Sequence, residues 1–344
     1  MIPSDQYLDE ALNLSDSEQS ILTDLNAWLP DTIIDCHSHT NGADAVGDLP
    51  DIAYRRLYSS FPGFSIEQSQ RVKTVFHPSK TIYMLRFANP YKGIKHKIAN
   101  DYLLKCKLHG DQVALLGLPD DPAYTLEQLQ STHYVALKSY PFYFDPPAKT
   151  VLEYFTPEML AACERLAIPI ILHLPLPLAD CLDEVLHIAQ TYPALTIVIA
   201  HLGRHRVYSE KVLEAYKTVK HHQNIVMDTS MIATEDVMIA ALEILGMSRI
   251  MYGSDEPMNL HRYVSYMHPQ LGERFMSQYP YHWLDDSQRA EYGHLAENAL
   301  LLHLQCLLVL KSAMTKVFSP DELDVAKHSI FYKNASMIFD WNRM

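Results

Sequence analysis

Short runs of β-branched and aliphatic residues recur along the chain, each followed by a longer stretch in which apolar positions return every three or four residues. The runs fall at residues 32–36, 72–76 with 82–85, 113–116, 135–138, 168–173, 195–201, 225–228 and 250–253. Helical periodicity fills intervals between them at 99–108, 157–166, 180–190, 209–221 and 234–245. Strands alternating with helices predict a parallel sheet with crossover helices. Runs such as Ile168-Pro169-Ile170-Ile171-Leu172 are apolar on both faces, which suits strands covered by helices on one side and facing a barrel interior on the other. About eight such units predict an α/β fold, a (β/α)8 TIM barrel. A doubly wound open sheet fits the same alternation and stands as the alternative.

Such a barrel typically takes roughly 250 residues, and the chain has 344. The surplus falls in three places. Residues 1–30 form a helical N-terminal extension, leaving 31–344 as a single barrel domain. Residues 41–70 are an irregular insertion after the first strand. Residues 256–297, rich in Tyr, His, Met and Pro, are a long loop insertion after the eighth strand, placed to cap the barrel mouth. The aromatics within it, Tyr279, Tyr281 and Trp283 beside His282, either line a pocket or form the insertion's own core. The apolar helix at 299–310 is assigned to the core.

Composition narrows the class. Hydrophobic residues make up 48% and charged residues 20% of the chain, enough for a large core and too few charges for disorder. A net charge of −13 disfavours nucleic acid and anionic membranes, both of which reward basic patches. The five cysteines, Cys36, Cys106, Cys163, Cys181 and Cys306, form no CxxC pair and fit reduced thiols better than a disulfide framework. The acidic first eighteen residues lack the basic flank and apolar core of a signal peptide, and 299–310 is too short to span a bilayer. The expectation is a soluble cytoplasmic protein with a small-molecule substrate and no nucleic-acid or membrane partner, self-association being left open.

The chemistry lies at the ends of the apolar runs. Ile33-Ile34-Asp35-Cys36-His37-Ser38-His39 places two histidines two residues apart, so that both imidazoles project from one face of a strand toward one point. Lys138 ends the run at 135–138, His173 and His201 end those at 168–173 and 195–201, and Asp255 follows Tyr252-Gly253-Ser254. In an α/β barrel these ends share one mouth, where residues distant in sequence converge. Imidazoles with a carboxylate suit a divalent ion such as Zn²⁺. Taken singly, each residue has a plainer reading. A lone histidine at a strand end is more often structural, Asp255 alone is more often a loop cap, and Lys138 alone is more often a solvated strand-end charge or a substrate counter-ion. Most of the 18 histidines, His77, His221 and His222 among them, are assigned to the surface or to loops. Cys36 is read as a small core residue on the strand face opposite its neighbours.

In this order, His37, His39, Lys138, His173, His201 and the Asp255 of Tyr-Gly-Ser-Asp resemble the amidohydrolase superfamily, in its amidohydrolase-related branch of metal-dependent barrel hydrolases and decarboxylases. Ile330-Phe331-Tyr332-Lys333-Asn334-Ala335 resembles that branch's closing helix. The resemblance implies one Zn²⁺ or other divalent metal on His37, His39, His173 and Asp255. Asp255 would accept the nucleophile's proton, and His201 would polarise or protonate the reacting group. A carboxylated Lys138 bridging two ions, with His173 and His201 on the second metal, is the two-metal alternative; otherwise Lys138 and Arg204 would bind a substrate carboxylate. Arg86 and Arg262 are further candidates for that task, or else surface ion pairs. The implied activity is hydrolysis of an amide, ester or lactone of a small, carboxylate-bearing molecule by metal-activated water. Non-oxidative decarboxylation is the alternative, and a non-catalytic metal-stabilised binding protein is a third reading.

Overall fold

The computed structural model describes residues 4–48, 61–91, 93–144, 146–270, 272–277 and 286–341. Two helices, α1 (Ser4–Leu12) and α2 (Asp16–Trp28), precede the first strand, β1 (Thr32–His39). Then come α3 (Ile66–Phe76), β2 (Thr81–Phe87), α4 (His96–Cys106), β3 (Gln112–Leu116), α5 (Pro122–Leu129) and β4 (Ala136–Ser139). The second half runs α6 (Pro157–Leu166), β5 (Ile170–Leu172), α7 (Leu182–Thr191), β6 (Ile197–Ile199), α8 (Glu210–Val219), β7 (Ile225–Asp228), α9 (Glu235–Leu245) and β8 (Ile250–Met251). Among the described residues these eight strands pair in parallel, in sequence order. The fold is therefore a (β/α)8 barrel, and the open-sheet alternative falls.

The two faces of each strand divide the core. Ile34, Leu85, Ala114, Ala136, Ile171, Val198, Val226 and Met251, one from each strand, pack together as the barrel interior. Ile33, Met84, Val113, Leu137, Ile170, Ile197, Ile225 and Ile250 face the surrounding helices. Alternation of this kind is what a pleated strand with two buried faces requires. After α11 (Leu302–Val317) and α12 (Pro320–His328), the chain ends in α13 (Asn334–Ile338). This last helix brings Ala335, with Phe339 and Trp341 beyond it, onto the interior cluster, and Trp341 Nε1 donates to Gly110 O at 2.7 Å, ahead of β3. The bottom of the barrel is closed by the chain's own end.

Three expectations change. Residues 72–76 are not strand: Ser65 and Gln68 form a capping box that starts α3, which buries Ile66, Ser69, Val72 and Phe76 at helical spacing. The second strand is Thr81–Phe87 alone, and the insertion after β1 is shorter than 41–70; residues 49–60 of it lie outside the described residues. The segment after β8 holds a hairpin, β9 (Tyr263–His268) with β10 (Gly272–Ser277), and helix α10 (Asp286–Tyr292). Its aromatics Tyr266 and Tyr292 pack at 4.7 Å, a small core of its own. Tyr279, Tyr281, His282 and Trp283 lie outside the described residues.

The N-terminal helices are fastened to the segment that follows β8. Glu18 completes a capping box at the start of α2, accepts both arms of the Arg262 guanidinium at 3.0 Å, and accepts Leu301 N at 3.0 Å. Tyr7 OH hydrogen-bonds to His261 Nδ1. Arg262 is thus an ion pair joining two parts of the chain, away from any substrate role.

Beside them runs a buried chain of neutral imidazoles, in which His77, at the start of a loop, is buried and not at the surface. Asn259 Nδ2 donates to His303 Nδ1 at 3.0 Å, the two Nε2 atoms of His303 and His77 meet at 3.0 Å, and His77 Nδ1 donates to Asn26 Oδ1 at 2.9 Å. Burial, helped by Lys80 and Lys73, pushes His77 down to about 4. A histidine depressed in the folded state contributes stability that is present above its unfolded pKa of about 6.5 and is lost as pH falls through the folded value. Acid unfolding between pH 6.5 and 4 should therefore consume about 3 kcal/mol through this one group. His77→Gln is expected to flatten that part of a Tm-against-pH curve; an unchanged slope would show that the chain is not the acid-sensitive element.

Candidate active site

Position and backbone form bring the sequence-predicted residues together at the C-terminal ends of the strands. The register of β1 against β2 shifts between Asp35 and Ser38. Cys36 therefore lies in the interior cluster with Ile34, although the next residue, His37, also packs inward on Phe87 at 5.0 Å. The irregularity, not simple alternation, turns the histidine pair into the mouth, so Cys36 is not on the opposite face. Gly253 permits this approach: a Cβ there would sit 2.8 Å from the Cβ of His37. Beside it the barrel is seamed by Cys36 N to Tyr252 O at 3.0 Å, Asp255 N to His37 O at 2.8 Å and His39 N to Glu256 O at 2.6 Å.

His201 and Asp255 both hold left-handed backbone conformations, with φ of 58° and 61°. For residues other than glycine this costs of order 1–3 kcal/mol each, strain that the surrounding structure must over-determine. The fixing contacts are visible. His201 N donates to Asp228 Oδ1 at 3.0 Å, and Asp255 N to His37 O.

Each of three imidazoles is oriented through Nδ1. His37 Nδ1 donates to Asp228 Oδ2 at 2.8 Å, His39 Nδ1 to Ala88 O at 3.3 Å, and His201 Nδ1 to Ser230 O at 3.1 Å. Acceptor-only partners fix the Nδ1–H tautomer, so the Nε2 lone pairs point into the mouth. There, Asp255 Oδ1 lies 3.1 Å from His37 Nε2 and 3.0 Å from His39 Nε2, and His173 Nδ1 lies 3.1 Å from His201 Nε2. His37, His201 and Asp255 offer ligand atoms that all fall within 4.8 Å of one another.

Electrostatics follow from burial. His173 is held well below the usual histidine range and His201 is pushed down to about 3, both chiefly by desolvation. Burial works against the Asp255 carboxylate, but the charge of His37 and hydrogen bonds from His37 and His39 outweigh it and hold the carboxyl well below its ordinary value. Burial and Lys138 likewise oppose the His37 imidazolium, while Asp228 and Asp255 on either side raise it.

Lys138, at the end of β4, is fully buried, and its Nζ has no hydrogen-bond partner among the described residues. The ammonium lies 4.9 Å over the Phe87 ring and 4.5 Å over that of Tyr140, and burial lowers it to about 7. Arg204 donates through Nη1 to Leu174 O and Pro175 O, bracing the turn that follows His173. Arg86 is neither at the mouth nor on the surface. It projects from the outer face of β2 and is buried against Asp111 Oδ2 at 2.5 Å, Thr40 Oγ1 at 3.0 Å and Ser69 Oγ at 3.0 Å.

Three residues escaped the sequence reading. Asp228 ends β7 at the position where His173 and His201 end their strands, and that equivalence was the available signal. Ser230, two residues on, hydrogen-bonds Asp228 and stands 2.8 Å from His201 Nδ1. Tyr140, two residues beyond Lys138, places its hydroxyl 3.3 Å from His39 Nε2.

The donor set fits a divalent ion. With Nδ1–H of His39 on Ala88 O, its Nε2 and the Asp255 oxygen 3.0 Å away need a proton or a metal ion between them, and imidazoles with a carboxylate are ligands that suit a divalent ion. Ligands at 2.0–2.1 Å around a tetrahedral ion would be roughly 3.3 Å apart, close to the separations found.

Residues 34–340 match the sequence profile of an amidohydrolase family, and the chain belongs to that family. Members of this superfamily are enzymes that usually hold a divalent metal. No curated protein matches the chain in sequence. Among solved structures, the fold is similar to that of an amidohydrolase from Burkholderia multivorans with bound zinc, at 12% identity over 90% of this chain and 99% of that one, with a TM-score of 0.58. It is also similar to a 2,6-dihydroxybenzoate decarboxylase from Rhizobium, at 16% identity over 91% and 100%, TM-score 0.52. A putative 2-pyrone-4,6-dicarboxylic acid hydrolase from Pseudomonas putida matches at 16% identity over 91% and 99%, TM-score 0.55. Likeness at such identities is one of fold. Among the described residues, no helix is long and apolar enough to cross a membrane.

Proposed function

We propose that the protein is a metal-dependent hydrolase of a small, carboxylate-bearing amide, ester or lactone. The observation that carries this reading is the gathering of His37, His39 and His201 about Asp255, with His173 Nδ1 beside His201 Nε2. His37, His39, His173 and Asp255 would hold one divalent ion, zinc being the first candidate. Bound there, such an ion would make water acidic enough, with a pKa of about 7 against 15.7 in bulk, to serve as a nucleophile near neutral pH. Asp255 accepts the water's proton as the carbonyl is attacked and returns it to the departing oxygen or nitrogen. His201, held neutral with Nδ1–H on Ser230, presents a lone pair at Nε2. In that form it accepts a hydrogen bond from the water, and Asp255 carries the proton.

Lys138 supports the carboxylate on the substrate, because a buried ammonium without a hydrogen-bonding partner calls for an anion. Its two aromatic faces favour the cationic side chain over a negatively charged carboxylated one, and so favour one metal. The same ammonium supports a second reading, non-oxidative decarboxylation, in which the bound carboxylate is itself lost.

Zinc- or manganese-loaded protein should be offered carboxylated lactones, esters and amides alongside hydroxylated benzoates, with acid release and carbon dioxide measured in parallel. Acid release without carbon dioxide is expected. Carbon dioxide from the benzoates would establish the second reading, and a full metal complement with no turnover would favour a binding protein.

A further inference from the structure

We propose that Asp35 is a positioning residue for the metal site, one of its carboxylate oxygens holding the N–H groups of His37 and Ser254 and so aiming His37 and Asp255. This rests on the metal-site reading above and adds to it a residue outside the ligand set.

The register of β1 against β2 passes over Cys36 and His37, so their N–H groups need acceptors elsewhere. Cys36 N donates to Tyr252 O at 3.0 Å. His37 N finds the carboxylate of Asp35, two residues back, and donates to its Oδ1 at 3.1 Å. An aspartate that bonds its own backbone two residues on offers a local alternative to the strand ladder. The irregularity that swings His37 inward is therefore completed by a side chain of β1 itself. Across the join, Ser254 N donates to the same Oδ1 at 2.9 Å, and Asp255 N donates to His37 O at 2.8 Å. Both amides of that turn are held by β1 where the backbone of Asp255 takes its left-handed form, with φ of 61°.

Asp35 is buried, at 3% exposure, and the Ser254 hydroxyl hydrogen-bonds its carboxylate while accepting Glu256 N at 3.0 Å. What the turn needs from this position is one oxygen, at the reach of an aspartate, that accepts two N–H groups. An asparagine supplies that oxygen, and its NH2 can donate to Ser254 Oγ, which has two lone pairs. A glutamate keeps the charge but carries its oxygens one methylene further from the backbone. An alanine leaves both N–H groups buried without this acceptor, which is the costly way to break a hydrogen bond. Geometry and charge thus predict opposite orders for the asparagine and glutamate variants.

Zinc affinity of the full chain, read by competition with a chromophoric chelator, is compared among Asp35→Asn, Asp35→Glu and Asp35→Ala. Circular dichroism establishes that each is folded. Asp35→Asn should bind zinc as wild type does. Asp35→Ala should bind it about 10–100-fold more weakly, the usual loss when a group that orients ligands is altered, and Asp35→Glu should fall with it. A role confined to stability would lower Tm and leave the affinity of the folded protein unmoved. Should Asp35→Ala not fold, the order of Asp35→Asn and Asp35→Glu decides the question. Wild-type affinity in folded Asp35→Ala or Asp35→Glu overturns the proposal while leaving the metal site standing. Asp35→Asn as weak as Asp35→Ala also overturns it, since the charge would then be what matters. Wild-type protein that takes up no zinc removes the metal reading itself, and the proposal with it.

Discussion

Replacing His37 and His39 together by alanine is expected to reduce bound metal from about one ion per chain to near zero. Both imidazoles present Nε2 to the same Asp255 oxygen, at 3.1 and 3.0 Å, so the pair supplies two donors to one position. Zinc held by four protein ligands is worth roughly 10–16 kcal/mol in small domains, or about 3 per ligand, so losing two should cost affinity on the order of 10⁴-fold. Elemental analysis of gel-filtered protein, with circular dichroism to establish that the barrel persists, measures the effect. Unchanged metal content in the folded double variant would place the ion elsewhere. The substitution also takes from the buried Asp228 and Asp255 their His37 and His39 partners, so a lower Tm in the absence of metal should accompany the loss.

Asp228→Asn should produce the second-largest change, although Asp228 is assigned no place among the ligands. One of its oxygens accepts from His201 N and Ser230 N at 3.0 Å each, and from Ser230 Oγ; the other accepts His37 Nδ1–H at 2.8 Å. An amide has only one oxygen. With three donors holding that oxygen in place, the NH2 must face His37, donor against donor. His37 relieves the conflict by moving its proton to Nε2, which removes the lone pair a metal needs. Metal affinity should fall about 10–100-fold, the usual consequence of altering a group that orients a ligand. Tm in the absence of metal should change far less than in Asp228→Ala, which abandons the whole network. Competition with a chromophoric chelator measures the affinity. Wild-type affinity in Asp228→Asn would mean that the tautomer of His37 is fixed by something other than this carboxylate.

Much of this arrangement was legible because the barrel writes each strand as an apolar run with a polar residue at its C-terminal end. The run at 225–228 is β7 residue for residue, and the run at 250–253 starts where the shorter β8 starts. The failures have physical causes. Val72 and Phe76 look like a strand in isolation, and only the Ser65–Gln68 box and the spacing from Ile66 reveal the helix. The register shift that swings His37 inward depends on how β1 meets β2 and the chain after β8, contacts between residues more than 40 and more than 200 positions apart, and no local pattern encodes them. His77 and His303 occupy a loop start and an apolar helix, and nothing in either segment announces that their rings meet. Arg86 shows the limit of reading charge. A cation beside a strand end can serve a substrate or an internal carboxylate, and its face on β2 sends it to Asp111.

The seam where the barrel closes on itself gives the site a mechanical meaning. The described strand-to-strand bonds linking the chain after β8 back to β1 run through Tyr252, Asp255 and Glu256 on one side and Cys36, His37 and His39 on the other. Ligand candidates therefore stand on both banks of the cylinder's last join. An ion gripping His37, His39 and Asp255 would act as a clasp, tying the first strand made during synthesis to residues made more than 200 positions later. Amide hydrogens along that join would then exchange with solvent on a timescale set by departure of the ion, and occupancy of the centre would be written into how fast the cylinder opens.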